Sequence, residues 1–341
     1  MPKSLPIKQP YPPMEALLVD KVPAGPNWQY EPKWDGFRCL AFRNGAYLEL
    51  QSKSGQSLTR YFPELVAALL RLKAKQFGLD GEIIIPIDGG SSFDDLLMRI
   101  HPAQSRIKKL SNETPARLLV FDLMVNAAGK SLTTEPLKVR RRELEAFAKQ
   151  YFTGKQRLQL SPRTRAFATA QKWLNSARVG FDGVIAKRLD LAYASGERTA
   201  MQKVKRMRSA DCVVGGFRYA SNAKVVGSLL LGLYDEAGLL HHVGFTSSFN
   251  AADKKELTTI LKPLIREPGF TGNKPGGPSR WSTERSAEWE PLATKLVAEV
   301  QYDHFSGGRF RHGTRFLRWR FDKKPKDCDF EQIPAARRSD N

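Results

Sequence analysis

In the stretch EPKWDGFR (31–38), Lys33 sits between an acid and an Asp-Gly pair, with Arg38 five residues on. A free lysine amine has a pKa of about 10.4, so about one in a thousand is neutral near pH 7.4. Attack on phosphorus needs the neutral form, which neighbouring cations or loss of water favour. A drop of about three units corresponds to about 4 kcal/mol between the two protonation states. The chain offers such cations at Lys203 and Lys205 in MQKVKR. Val204 between them allows both to face one side of a strand. A magnesium ion would add further positive charge. Taken alone, KWDG reads as an exposed turn.

Two more Asp-Gly pairs carry carboxylates: DGE (Asp80, Gly81, Glu82) and DG (Asp182, Gly183), each beside a run of β-branched residues. Read singly, each is a turn former. Together, carboxylates on a rigid sheet near phosphates suit magnesium, which takes oxygen ligands and keeps several waters. Phe121, inside LLVFDLM, reads either as core packing or as an aromatic face for a purine.

The elements that must position these residues follow from the sequence pattern. FRCLAFR and AYLELQS flank Asn44-Gly45, a hairpin signal. Pro63 opens the helical run PELVAALLRLKAK. GLDGEIIIP and RLLVFDLM read as buried strands, with the helix SSFDDLLMRI and its Ser-x-x-Asp cap between them. Residues 135–150 and 164–179 read as amphipathic helices, and FDGVIAKR and MQKVKR as further strands. This first part (1–207) is expected to be α+β with antiparallel sheets. From residue 208, short strands at close spacing (DCVVGGFRYA, KVVGSLLLGLYD, GLLHHVGFTSS, LVAEVQYDHF, RFLRWRF) surround one helix, NAADKKELTTILKPLI, and a Gly/Pro loop, EPGFTGNKPGGPS. Five strands with one helix fit a small Greek-key barrel such as an OB-fold over 208–330. Residues 331–341 form a tail.

The chain has 341 residues and a formal net charge of +20, which points to a polyanionic partner, most often nucleic acid. Segment 309–326 alone holds eight basic residues and one acid. It and the helix start KVRRRELEAF (138–147) are the candidate phosphate-binding surfaces. No apolar run reaches the length of a membrane span. The N-terminus has no signal-peptide core, so a cytosolic protein is expected. Cys39, Cys212 and Cys328 lie far apart and form neither a disulfide framework nor a CxxC zinc pair.

In order, EPKWDGFR, QSKSGQSLTRYFPEL, LDGEIIIP, LLVFDLM, FDGVIAKR, MQKVKR and RFLRWRFDK resemble the motifs of the covalent nucleotidyltransferases, most closely the ATP-dependent DNA ligases of the small standalone bacterial type often called LigC. The resemblance implies a nucleotidyltransferase domain of ATP-grasp-like antiparallel sheets with helices, followed by an OB-fold β-barrel. It implies three steps: Lys33 takes AMP from ATP, AMP passes to the 5′-phosphate at a nick, and the 3′-hydroxyl attacks that phosphate and releases AMP.

In that scheme Glu31 recognises the adenine amino group and Phe121 stacks on adenine. Glu82 holds the ribose hydroxyls and, with Asp182, serves the metal, magnesium or manganese. Arg38 contacts AMP and the nick phosphate, and Lys203 and Lys205 grip the α-phosphate. Asp35 and Lys53 lie near the nick. Arg320, with Asp322 beside it, reaches from the OB domain to orient the departing pyrophosphate. Two positions depart from the wider pattern: Lys53 replaces an arginine, losing the fork geometry but keeping the charge, and Asp182 stands where many relatives carry Glu. The implied partner is nicked double-stranded DNA, bound through phosphates by a monomer in the cytoplasm, associated with the bacterial nucleoid. Repair pathway and protein partners leave no mark in these residues. The alternatives are an RNA ligase or mRNA-capping guanylyltransferase, and a non-catalytic nucleic-acid-binding OB module. An NAD-dependent ligase would bring a four-cysteine zinc site and a longer chain.

Overall fold

A computed structural model describes residues 5–88, 90–152, 157–175, 181–221, 223–276 and 288–333. The chain divides into two compact units, Met1–Arg206 and Met207–Asn341.

The first unit holds two principal sheets. One runs, in spatial order, Tyr47–Ser52, Phe37–Asn44, Gln76–Ile84, Arg117–Val125 and Leu158–Leu160. The first four strands are antiparallel, and the last pairs parallel with Leu118–Val120. The hairpin turn falls on Gly45–Ala46, one residue later than Asn44-Gly45. Asn44 stays in the ladder opposite Tyr47, where its side chain accepts from Gln76, and Gly45 takes φ 66°. Helices Pro63–Arg71 and Leu137–Tyr151 cover one face, around Phe62, Leu65, Leu69, Phe77, Leu144 and Phe147. The Pro63 helix stops at Arg71, short of the expected Lys75. The buried Arg43 guanidinium collects its closing carbonyls, donating to Leu69, Leu70, Leu72 and Ala74.

The second sheet runs Leu17–Leu18, Met201–Lys205, Phe181–Arg188, Trp28–Trp34. Its Leu17–Leu18 pairing is also parallel, so the expectation of purely antiparallel sheets fails at two edges. The two sheets meet through Met14, Leu40, Phe42, Met124, Tyr193 and Met201. Ser92 caps helix Phe93–Met98 by accepting from the Asp95 N–H. Helix Gln104–Glu113 was not expected from the pattern; it buries only Ile107 and Ser111, too few positions to show a period. Helix Phe167–Leu174 is shorter than the expected 164–179, whose residues 176–179 lie outside the described ones.

The second unit is a curled sheet in the order Leu240–Thr246, Ala223–Tyr234, Arg208–Ala220, Val297–Tyr302, Arg315–Trp319, with Glu290–Pro291 paired to Arg208–Ala220. Helix Ala251–Leu261 begins with a capping box between Asn250 and Asp253. The outer strands meet at one parallel bridge, Thr246 with Thr314, strengthened by a bond from Thr246 Oγ1 to Thr314 O. Among the described residues no ladder closes the barrel. Part of the Gly/Pro loop (277–279) and the tail from 334 lie outside the described residues. No helix among the described residues is long and apolar enough to cross a membrane.

Candidate active site

Strand periodicity puts Gln29, Glu31 and Lys33 on one face of Trp28–Trp34, with Tyr30 and Trp34 on the other. Across the sheet Glu31 is paired with Ile185, and Ile185 with Lys203. One row further, Lys205 is paired with Gly183, the neighbour of Asp182. Glu31, Lys33, Lys203 and Lys205 therefore share one face.

Lys33 does not sit in a purely cationic setting. Its Nζ donates to Asp182 Oδ1 at 2.7 Å. Burial works to deprotonate the amine, but Asp182, Asp35 and Glu82 together outweigh it and hold its pKa above the ordinary lysine value. The expectation that Lys203 and Lys205 leave the amine electron-rich is thus corrected. Carboxylates outweigh the lysines at Lys33, and the cation cluster is felt at Lys203 instead. Burial and the charges of Lys33, Lys205, Lys53 and Arg198 push the Lys203 pKa down.

The facing sheet contributes Arg38, Asp80, Glu82 and Phe121. Arg38 is paired with Glu82 across the ladder, and its guanidinium forks onto Asp80 at 2.5 and 2.6 Å. Asp80 also accepts from Tyr193 Oη at 2.6 Å. Burial pushes the Glu82 carboxyl up to about 8, against the charges of Arg38 and Lys33. Phe121 is 8% exposed, with Arg38 Cζ 4.8 Å and Lys187 Nζ 4.3 Å from its ring centre.

Two of the three Asp-Gly pairs fall in strands, as the strand readings of GLDGEIIIP and FDGVIAKR expected, rather than in the turns each suggests when read singly. Gly81 and Gly183 lie inside strands, and Gly36 sits between two strands. A Cβ on Gly36 would collide with Ile83 O, one on Gly81 would lie 2.7 Å from Leu119 O, and one on Gly183 would collide with Val204 O. Each glycine lets a neighbouring strand's carbonyl approach beside a carboxylate.

One residue that sequence reasoning missed is Lys187. It is 1% exposed and donates to Glu31 Oε2 at 2.8 Å. Gln29 donates to Oε1 at 2.8 Å, and Arg141 Nη1 lies 4.0 Å away, so Glu31 is a buried carboxylate ringed by donors. The signal was present in the two-residue spacing of Gly183, Ile185 and Lys187. Arg198 was also missed. It and Lys53 lie 3.0 and 3.2 Å from the two oxygens of Glu15, placing a guanidinium beside the ammonium.

In the helix start at 138–147, Lys138 and Arg142 are exposed, but two of the basic residues are withdrawn from any phosphate surface. Arg140 is 1% exposed and forks onto Asp122 at 2.8 and 2.9 Å, and Arg141 is buried against Glu145 and Ser161 O. In the second unit, Arg309, Arg315, Arg318, Lys324 and Lys326 are exposed, as expected of a polyanion surface. Arg320 Nη1 donates to both oxygens of Asp211 at 3.0 Å, and Nε and Nη2 donate to Asp322 at 2.9 Å. Among the described residues no group of three or more His, Cys, Asp or Glu is arranged to hold a metal.

The profile of the ATP dependent DNA ligase domain matches residues 14–205, and that of the ATP dependent DNA ligase C terminal region matches 222–323. The chain belongs to the ATP-dependent DNA ligase family. It is 41% identical to DNA ligase C2 of Mycolicibacterium smegmatis over 348 residues, covering 97% of this chain and 96% of that protein. It is 40% identical to DNA ligase C of Mycobacterium tuberculosis over 344 residues, covering 96% and 95%. A solved Lig E DNA ligase shares the fold at TM-score 0.56 and 15% identity, covering 90% of this chain and 100% of that one. This ligase is accordingly an ATP-dependent enzyme that joins DNA, with a nucleotidyltransferase region followed by the OB-fold region of such ligases.

Proposed function

We propose that this ligase seals nicks in duplex DNA through a lysyl-AMP intermediate on Lys33. The observation that carries the reading is the shared face on which the Lys33 amine, Asp182 and Lys203 converge. In the first step the Lys33 nitrogen bonds to the α-phosphorus, the bond to the bridging oxygen breaks, and pyrophosphate leaves with the electron pair. The ammonium that faces Asp182 gives up one proton to solvent before attack, and the nitrogen gives up a second to solvent as the phosphoramidate forms. Lys203 and Lys205 neutralise the α-phosphate oxygens. Glu31, fixed by Lys187 and Gln29, presents a carboxylate to the adenine amino group, and Phe121 offers its ring to the purine. Glu82 meets the ribose. In the later steps Arg38, Asp35, Lys53 and Arg198 face the nick, the last two as a guanidinium–ammonium pair on Glu15. Arg320 orients the pyrophosphate.

Asp182 and Glu82 fit a divalent cation. Both are carboxylates near Lys33, and magnesium commonly uses one or two carboxylates together with substrate phosphates. When bound, the ion would supply positive charge beside the phosphate oxygens. The domain roles follow: the first unit forms the adenylate, and the exposed cations of the second hold duplex DNA through its phosphates, in a salt-dependent way.

Incubation with ATP and magnesium, followed by intact-mass measurement, should show one adenylyl group on the natural chain and none on Lys33→Ala. Nicked DNA should then discharge the adduct and become sealed. A Lys33→Ala chain that still takes up AMP would sink the assignment.

A further inference from the structure

Arg320 is held by more than its neighbour Asp322. Its donors are nearly all assigned: Nε and one Nη2 hydrogen to Asp322, and Nη1 to both oxygens of Asp211. The same Asp211 carboxylate accepts from Lys323 Nζ at 3.0 Å. One carboxylate thus sets the spacing of two cations that lie three residues apart on one segment. Its own backbone is pinned from both sides. The Asp211 N–H donates to Gln332 Oε1 at 2.8 Å, and Gln332 Nε2 donates to Asp211 O at 3.0 Å. Asp211 also sits on a strand, directly across from Glu299, whose carboxylate lies 3.8 Å from Arg320 Nη1. Arg320 has rotatable bonds enough to sample many positions, whereas Asp211, clamped at its backbone, has few. The rigid partner therefore dictates where the flexible one points.

We propose that Asp211, fixed by Gln332, is the positioning residue that presents Arg320 and Lys323 together as a two-cation grip for the leaving pyrophosphate. This rests on the pyrophosphate role of Arg320. Asp211 acts here through its bonds to Arg320 and Lys323. Its contribution is the spacing and orientation of the two cations, so its loss is felt where charge develops on the leaving oxygens and little in the binding of ATP itself.

The test compares Asp211→Asn, Gln332→Met and Arg320→Ala with the natural chain in two separated reactions: single-turnover self-adenylation over a range of ATP, and sealing of a chemically pre-adenylated nick. Asp211→Asn should lower the maximal adenylation rate at least tenfold with the ATP concentration for half-maximal rate changed less than threefold. Gln332→Met, which leaves the carboxylate in place but frees its backbone, should lower the rate less, in the same pattern. Both should seal the pre-adenylated nick at the natural rate. Loss of both reactions together with a lower unfolding temperature in both variants would mean a structural role and overturn the proposal. A faster adenylation in Asp211→Asn would mean that the carboxylate restrains Arg320, and would overturn it too. If Arg320→Ala leaves adenylation intact, the pyrophosphate role itself fails; if Arg320→Ala blocks adenylation and Asp211→Asn does not, only the present inference fails.

Discussion

Arg140→Met tests the support beneath the nucleotide face. Arg140 and Asp122 are each 1% exposed and share two bonds, at 2.8 and 2.9 Å. Arg140 also donates to Glu135 O at 2.8 Å and Leu191 O at 3.2 Å, tying the helix Leu137–Tyr151 to the loop that leads to Tyr193. Asp122 directly follows Phe121 on its strand. Methionine fills much of the arginine volume but removes both guanidinium bonds from the Asp122 carboxylate, which keeps the Leu123 N–H at 2.9 Å. Removing one partner of a buried pair costs about 3–5 kcal/mol. For a unit of about 200 residues, 1 kcal/mol moves the unfolding midpoint by about 2–4 °C, so a fall of about 10 °C is expected. Asp122→Leu together with Arg140→Met should recover at least half of that, because no buried charge is then stranded. The pH dependence has a definite sign. Burial alone would raise the Asp122 pKa, but Arg140 holds it below the ordinary carboxylate value. The pair's contribution is therefore full above the ordinary value of about 3.9 and lost as pH falls through the lower folded value. In Arg140→Met the stranded carboxylate gains by protonation, so the gap between variant and natural chain should narrow on acidification. Thermal unfolding of the four chains at pH 7 and at pH 4 provides the cycle. A single-variant loss below about 1 kcal/mol, or a double variant as unstable as the sum of the singles, would refute the reasoning.

Lys187→Met should leave Glu31 with one fewer direct donor, raise the ATP requirement for self-adenylation at least tenfold, and weaken discrimination against GTP, as read by nucleotide labelling. Asp182→Asn removes the leading counter-charge of Lys33, so the pH at which an amine-reactive anhydride labels Lys33 should move down; an unchanged labelling curve would show that Asp182 does not set it. His242 is buried near Arg309 and Arg218, and burial first, then those charges, hold its pKa down at about 3. It should stay neutral in an NMR titration from pH 8 to 4. Because the unfolded imidazole binds a proton at about 6.5, this site should cost the fold stability as pH falls below that value.

The chain's chemistry was legible where residue type and order suffice. Lys33, Glu82, Asp182, Lys203 and Lys205 are recognisable in strands whose period is two, and the structure brings Lys33, Asp182, Glu82 and Lys203 within electrostatic reach of one another. What the sequence hid were pairings over long separations. Glu31 and Lys187 lie 156 residues apart, and either alone reads as a solvated charge. Arg140 and Arg141 look like a basic helix face because nothing local shows that Asp122 and Ser161 wait beneath them. The charge state of Lys33 was misjudged for a related reason. The cations were visible as the KVK motif, whereas the carboxylate that dominates comes from a strand 149 residues away.

The crowding at Gly36, Gly81 and Gly183 carries an evolutionary consequence. Where a side chain is required, related amino acids can often substitute, but a position required to be empty has no near substitute. Even alanine at Gly183 would wedge apart the strands that bear Asp182 and Lys205. Random mutagenesis scored by nick sealing should therefore find these three atoms' worth of vacant space as intolerant as the nucleophile itself.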